Sequence, residues 1–136
     1  AHLAIKYFGH LNLNSFSCGS EQTTIHKNTI LALESIGFRV QMKKSNKINF
    51  YFSDNLFVEC FSKTFLHDSL PKNQIISLMT CDDADKNCPL ISGSLSRISL
   101  PYNDPKLYDD SLECREEYKK TSIQIAQEIF YIFSKV

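Results

Sequence analysis

Pro71-Lys72-Asn73-Gln74-Ile75-Ile76-Ser77-Leu78-Met79-Thr80-Cys81-Asp82-Asp83-Ala84-Asp85-Lys86-Asn87-Cys88-Pro89 is the stretch that decides how this chain is read. Its first half is a polar lead-in to a short, nearly all-apolar run, Ile75 to Met79. A run of that length predicts a strand covered on both faces, as in a parallel sheet. Its second half sets three acids, Asp82, Asp83 and Asp85, between Cys81 and Cys88. The cysteine spacing is too wide for a zinc knuckle, and it does not match a Cys-x-x-Cys redox helix. It suits a loop at the end of a strand, in which two thiols approach if the loop closes.

Downstream, Arg97-Ile98-Ser99-Leu100 predicts another short strand, stopped by Pro101. Asn103-Asp104-Pro105 is turn chemistry. From about Leu112 the apolar positions Tyr118, Ile123, Ile125, Ala126, Ile129, Phe130 and Phe133 recur at helical spacing to the end. Upstream, Leu3, Ala4, Tyr7 and Phe8 mark a helix that Gly9 ends, and Asn14 to Cys18 reads as a short strand into a turn at Gly19. His26 to Ile36 predicts a second helix stopped by Gly37. Phe38 to Met42 and Ile48 to Phe52 alternate around the polar turn Lys43 to Lys47, which predicts an antiparallel hairpin; Leu56 to Phe61 adds a further strand. Helices alternating with short apolar strands indicate an α/β fold with a mainly parallel sheet. In such sheets ligands bind beyond the carboxyl ends of the strands, and Cys81 and Asp104 each follow a strand.

The 136 residues carry no linker or repeat and are read as one domain, 1–136. Fifteen basic residues against fifteen acidic ones argue against a nucleic-acid footprint, and no apolar run is long enough for a membrane span. The five cysteines, odd in number and scattered, fit a reduced cytoplasmic protein, with Cys18, Cys60 and Cys114 as buried thiols. His2, His10, His26 and His67 have no ligand spacing, and neither a metal nor another cofactor is expected. Lys43, Lys44 and Lys47 solvate a hairpin tip, and Phe50, Tyr51, Phe52, Phe57 and Phe61 are expected to pack a sheet rather than stack on bases.

The chemistry open to these residues is limited. A thiol relay needs a thiolate, and the acids around Cys81 and Cys88 disfavour one, so activation must come from outside the loop, for instance from a helix N-terminus. The plain alternative is two cysteines in an acidic surface loop without chemistry. Asp104 before Pro105 is either a turn element or a general acid held over an anion.

Several segments, in order, resemble the thioredoxin-coupled arsenate reductases and their relatives, the low-molecular-weight protein tyrosine phosphatases. Met79-Thr80-Cys81 to Pro89 looks like the family's redox loop, and Tyr102-Asn103-Asp104-Pro105 is similar to its Phe/Tyr-Asp-Asp-Pro segment, with Asn103 in place of the first Asp. Ser17-Cys18-Gly19-Ser20-Glu21 resembles a strand end of the family, Asn28 to Gly37 the helix after it, and Tyr118 to Lys135 the terminal helix. The longer segment around 38–61 resembles a bacterial subgroup.

The resemblance implies a three-layer, open parallel sheet with flanking helices, an antiparallel hairpin insertion around 38–61, and a first central strand missing from this chain. The family's nucleophile lies in a Cys-x5-Arg phosphate loop, and no such motif occurs in these residues. The chain begins inside what resembles the helix after that loop, so truncation at the amino end is expected, and with it inactivity of the chain alone. The resemblance further implies an oxyanion substrate and a relay in which Cys81 attacks the first nucleophile and Cys88 attacks Cys81. Thioredoxin is then the reductant. In a phosphatase, Asp104 donates the proton and the substrate is a phosphate ester. A third reading is a non-catalytic thiol switch that keeps only Cys81 and Cys88.

Overall fold

The two helical stripes at either end of the chain and the alternating segment between them form the elements that their periodicity dictates. A computed structural model describes residues 1–10, 12–80 and 91–136. Cys81 and Cys88 therefore lie outside the described residues. The chain is mixed α/β, with a three-stranded antiparallel sheet and a two-stranded parallel one. It divides into two compact units: Ala1–Ser15, Thr24–Phe61 and Pro105–Val136 form the first, Phe16–Thr23 and Ser62–Asp104 the second.

In the first unit, α1 spans His2–Tyr7, α2 Lys27–Ser35 and α3 Cys114–Phe133. The expected glycine stops hold: Gly9 and Gly37 take φ of +75° and +103°, conformations that only glycine adopts without cost. α3 buries Cys114, Tyr118 and Ile129 on one face, and Ala32 of α2 joins Cys114 and Tyr118 in a single cluster. At the other end of α3, Phe130 meets Tyr7 and Phe8 with ring centroids 5.7 and 5.8 Å apart. A ring N–H of His10 (Nε2) donates to the Phe133 carbonyl at 2.8 Å, satisfying one acceptor that the helix terminus leaves open.

The antiparallel sheet has the order β1 (Arg39–Met42), β2 (Ile48–Ser53), β3 (Leu56–Cys60). Arg39 pairs with Tyr51 and Tyr51 with Phe57; two residues on, Gln41 pairs with Asn49 and Asn49 with Glu59. The first turn needs positive φ at Ser45 and Asn46. One face carries Val40, Phe50 and Val58, with Ile48 and Phe50 buried and Phe52 against Phe38 at 5.0 Å. The other face carries Arg39, Tyr51 and Phe57. Asn49, on that second face of the central strand, is buried with its Oδ1 unbonded.

In the second unit, β4 (Ile75–Met79) runs parallel to β5 (Ser94–Ser99), with Leu78 opposite Ile98. Both strands were legible in sequence, but two expectations need correcting. Only one face of β4 is covered: Ser77 and Met79 are buried while Ile76 is 61% exposed. Parallel ladder pairing among the described residues is confined to these two strands, beside one isolated bridge from Gly19 to Thr64. Asn14 to Cys18 is not a strand in the described structure. A ladder needs a neighbour, and among the described residues the bridge next to that segment is at Gly19, whose N–H donates to Lys63 O and whose carbonyl accepts from Phe65 N. Phe16, with half its surface exposed, has no sheet face to join.

Candidate functional site

β4 and β5 run in the same direction, so both release the chain at their carboxyl ends. The ladder continues past the strands there: Leu100 N donates to Met79 O at 2.8 Å and Tyr102 N to Thr80 O at 3.1 Å. Tyr102 is buried and pins this arm. Thr80 immediately precedes Cys81 in sequence, and Tyr102 stands two residues before Asp104. The segments singled out around Cys81 and Asp104 are therefore tied backbone to backbone at the edge where open parallel sheets collect ligands. Asp104 lies in irregular chain, exposed, and its carboxyl belongs to the second unit. The cysteines of the pair, Cys81 and Cys88, fall outside the described residues, so the geometry of the relay is not part of this picture.

The first unit holds a polar cluster that sequence reasoning did not single out. Asp109 follows the 3-10 turn Pro105–Tyr108. Its Oδ1 accepts from Tyr118 O–H at 2.8 Å and from Asn28 Nδ2 at 3.0 Å. The amide group of Asn28 also donates to Cys114 Sγ at 3.0 Å, so both of its hydrogens are used inside the fold. His26, the residue before α2, stacks on Tyr118 with centroids 6.0 Å apart, and its Nε2 stands 3.8 Å from Asp109 Oδ2. The Tyr118 hydrogen bond is the main cause that holds the Asp109 carboxyl below its ordinary range; burial opposes it, and the Asn28 bond and the charges of His26 and Lys106 add to the lowering.

This cluster joins the start of α2, the 3-10 turn and the first two turns of α3. Its groups satisfy one another, and Cys114 is 8% exposed. The arrangement supports a structural joint, not an attacking thiol, since a reactive cysteine needs access and a cationic neighbour. The one sequence signal for it is that Tyr118 falls on the apolar stripe of α3, where a buried tyrosine O–H calls for a partner. The expectation that Cys18, Cys60 and Cys114 are buried holds for Cys114 alone. Cys60 is half-buried, and Cys18 is exposed because its segment lacks a sheet to enter.

Among the described residues no group of three or more His, Cys, Asp or Glu side chains is placed to hold a metal ion. No described helix is long and apolar enough to cross a membrane. No protein-family model matches the chain, and no curated protein matches it.

Proposed function

We propose that this chain is arsenate reductase-like, built on the fold of the low-molecular-weight phosphatases and working through a cysteine relay. The observation that carries the reading is the Tyr102–Thr80 backbone bond at the carboxyl end of a parallel strand pair. It supports a common site for the two segments whose sequences resemble the family's redox loop and its acid turn. In this reading a first thiolate, supplied by a Cys-x5-Arg loop that these 136 residues do not contain, bonds to arsenate. The Cys81 thiolate attacks that sulfur, and arsenite leaves with the electron pair of the broken sulfur–arsenic bond. Cys88 then attacks Cys81, the first thiol departs as thiolate, and the Cys81–Cys88 disulfide is reduced by the dithiol of thioredoxin. Asp104 is the proton donor to the departing oxygen. The site is cytoplasmic in this reading, where a disulfide is transient and catalytic.

One observation favours a second reading. The cysteine pair itself, spaced so that a closing loop can link Cys81 to Cys88, also supports a thiol switch that works without oxyanion chemistry.

A single experiment separates them. The protein as its source makes it, with whatever residues stand before Ala1, is treated with a stoichiometric dithiol oxidant, its disulfides are mapped by peptide mass, and NADPH consumption is followed with thioredoxin and its reductase, with and without arsenate. A Cys81–Cys88 link and arsenate-dependent consumption, lost in Cys81→Ser and Cys88→Ser, support the reductase. The same link with consumption of one equivalent only, indifferent to arsenate, supports the switch. Two unlinked thiols after oxidation rule out both.

A further inference from the structure

The alternation of the three-stranded sheet leaves one face with an unusual pairing of side chains. Arg39, Tyr51 and Phe57 stand in one cross-strand row, and Lys47 and Phe61 lie near the hairpin tip that also carries Lys43. The Arg39 guanidinium lies 4.9 Å over the Tyr51 ring, Tyr51 and Phe57 are 5.1 Å apart, and Lys47 Nζ sits 5.3 Å over the Phe61 ring. Rings and cations therefore share one surface, and Phe57 keeps 47% of its own surface exposed.

The balanced charge of the whole chain hides an uneven distribution. Between residues 39 and 60 four basic side chains (Arg39, Lys43, Lys44, Lys47) face two acidic ones, Asp54 and Glu59. Both acids are engaged with these cations, Arg39 to Asp54 at 3.0 Å and Lys47 to Glu59 at 2.7 Å. The pairs are solvent-exposed, however, and exposed pairs are worth little, so a stronger anion displaces them at small cost.

We propose that this outward face of the β1–β2–β3 sheet binds single-stranded nucleic acid, a base stacking on Phe57 and phosphates meeting Arg39 and the lysines of the hairpin tip. The inference is independent of the thiol relay. Flat π-faces set among cations are what a polynucleotide strand requires and an acidic peptide does not, because only the former presents a ring with each charge. From Phe57 to Phe61 the face is about 13 Å long, and three strands make it about 10 Å wide. That area holds only a few nucleotides, so binding is weak and strongly salt-dependent.

The test is fluorescence anisotropy of a short, fluorescein-labelled deoxythymidine oligomer titrated with the full chain at about 20 mM and about 150 mM salt. Binding is expected at the lower salt and largely lost at the higher. Phe57→Ala is expected to weaken it about five-fold or more, the loss of one stacked base. Phe57→Leu, which keeps an apolar side chain and removes the ring, should do the same. Lys43→Gln combined with Lys44→Gln should flatten the salt slope by about one to two. The proposal is overturned by no binding at low salt, or by binding that both Phe57 variants leave unchanged. It is also overturned if a polyglutamate peptide of equal charge competes as well as unlabelled oligomer, which would make the face a general polyanion surface.

Discussion

Replacing Phe50 and Phe57 by alanine, one at a time, probes the face assignment of the antiparallel sheet directly. The two residues have the same side chain and sit on adjacent paired strands, but on opposite faces. Phe50 is 4% exposed and Phe57 47% exposed. Truncating Phe50 loses nearly the whole transfer free energy of a buried ring and leaves a cavity beside Val40 and Val58, its cross-strand neighbours. The expected cost is about 3–5 kcal/mol. Truncating Phe57 loses roughly half of a ring's transfer term and leaves no enclosed cavity, so about 1 kcal/mol is expected. The assay is urea unfolding followed by far-UV circular dichroism, with equal m-values required for the comparison. If Phe50→Ala does not fold, Phe50→Leu preserves the contrast at reduced size. Equal costs, or a larger cost at Phe57, would refute the argument, because a register slip of one residue exchanges the two faces. A small cost at Phe57 also means that its variants report on binding rather than on folding.

Three further outcomes follow from single contacts. Asp109 is held below its ordinary range in the folded chain, so its contribution to stability is present above the unfolded-state pKa and lost as pH falls through the lower folded value. Unfolding midpoints should therefore begin to drop below about pH 5 and keep dropping as the pH passes the ordinary carboxyl range, and Tyr118→Phe, which removes the largest cause, should make that drop smaller; an unchanged drop would place the acid sensitivity elsewhere. Asn49→Val replaces a buried, unbonded Oδ1 in a central strand with a β-branched apolar side chain, and should raise stability by about 1 kcal/mol in the same urea assay. Gly93→Ala should cost at least about 2 kcal/mol, since φ is +80° and a Cβ there would overlap the Lys72 carbonyl; a neutral result would mean this turn relaxes freely.

The helices, the hairpin and the β4 and β5 strands could be read from the chain because each is specified locally. Gly9 and Gly37 end helices through their own φ, and the alternation from Phe38 to Phe61 has a period that only strands satisfy. The segment Asn14 to Cys18 misleads for the same reason: its local pattern suits a strand, but pairing is a non-local event, and among the described residues the bridge forms just past it, at Gly19. The burial of β4 was overstated because an apolar run records suitability for a covered site, not the presence of a cover; Ile76 remains largely exposed. Of the proposed site, residue identities alone could be read. Tyr102, two residues before Asp104, is bonded to Thr80, the residue before Cys81, across more than twenty residues of chain.

Charge balance, cysteine spacing and the periodicities of the strands and helices are properties of neighbours along the chain, and the sequence by itself determined them. Which strands pair, which face of each is covered, and the junction of His26, Asn28, Asp109, Cys114 and Tyr118 were decided only by tertiary structure. The physical reason is separation: Asn28 and Asp109 are 81 residues apart, and a hydrogen bond across that distance exists only after α2 has packed against the segment that carries Asp109.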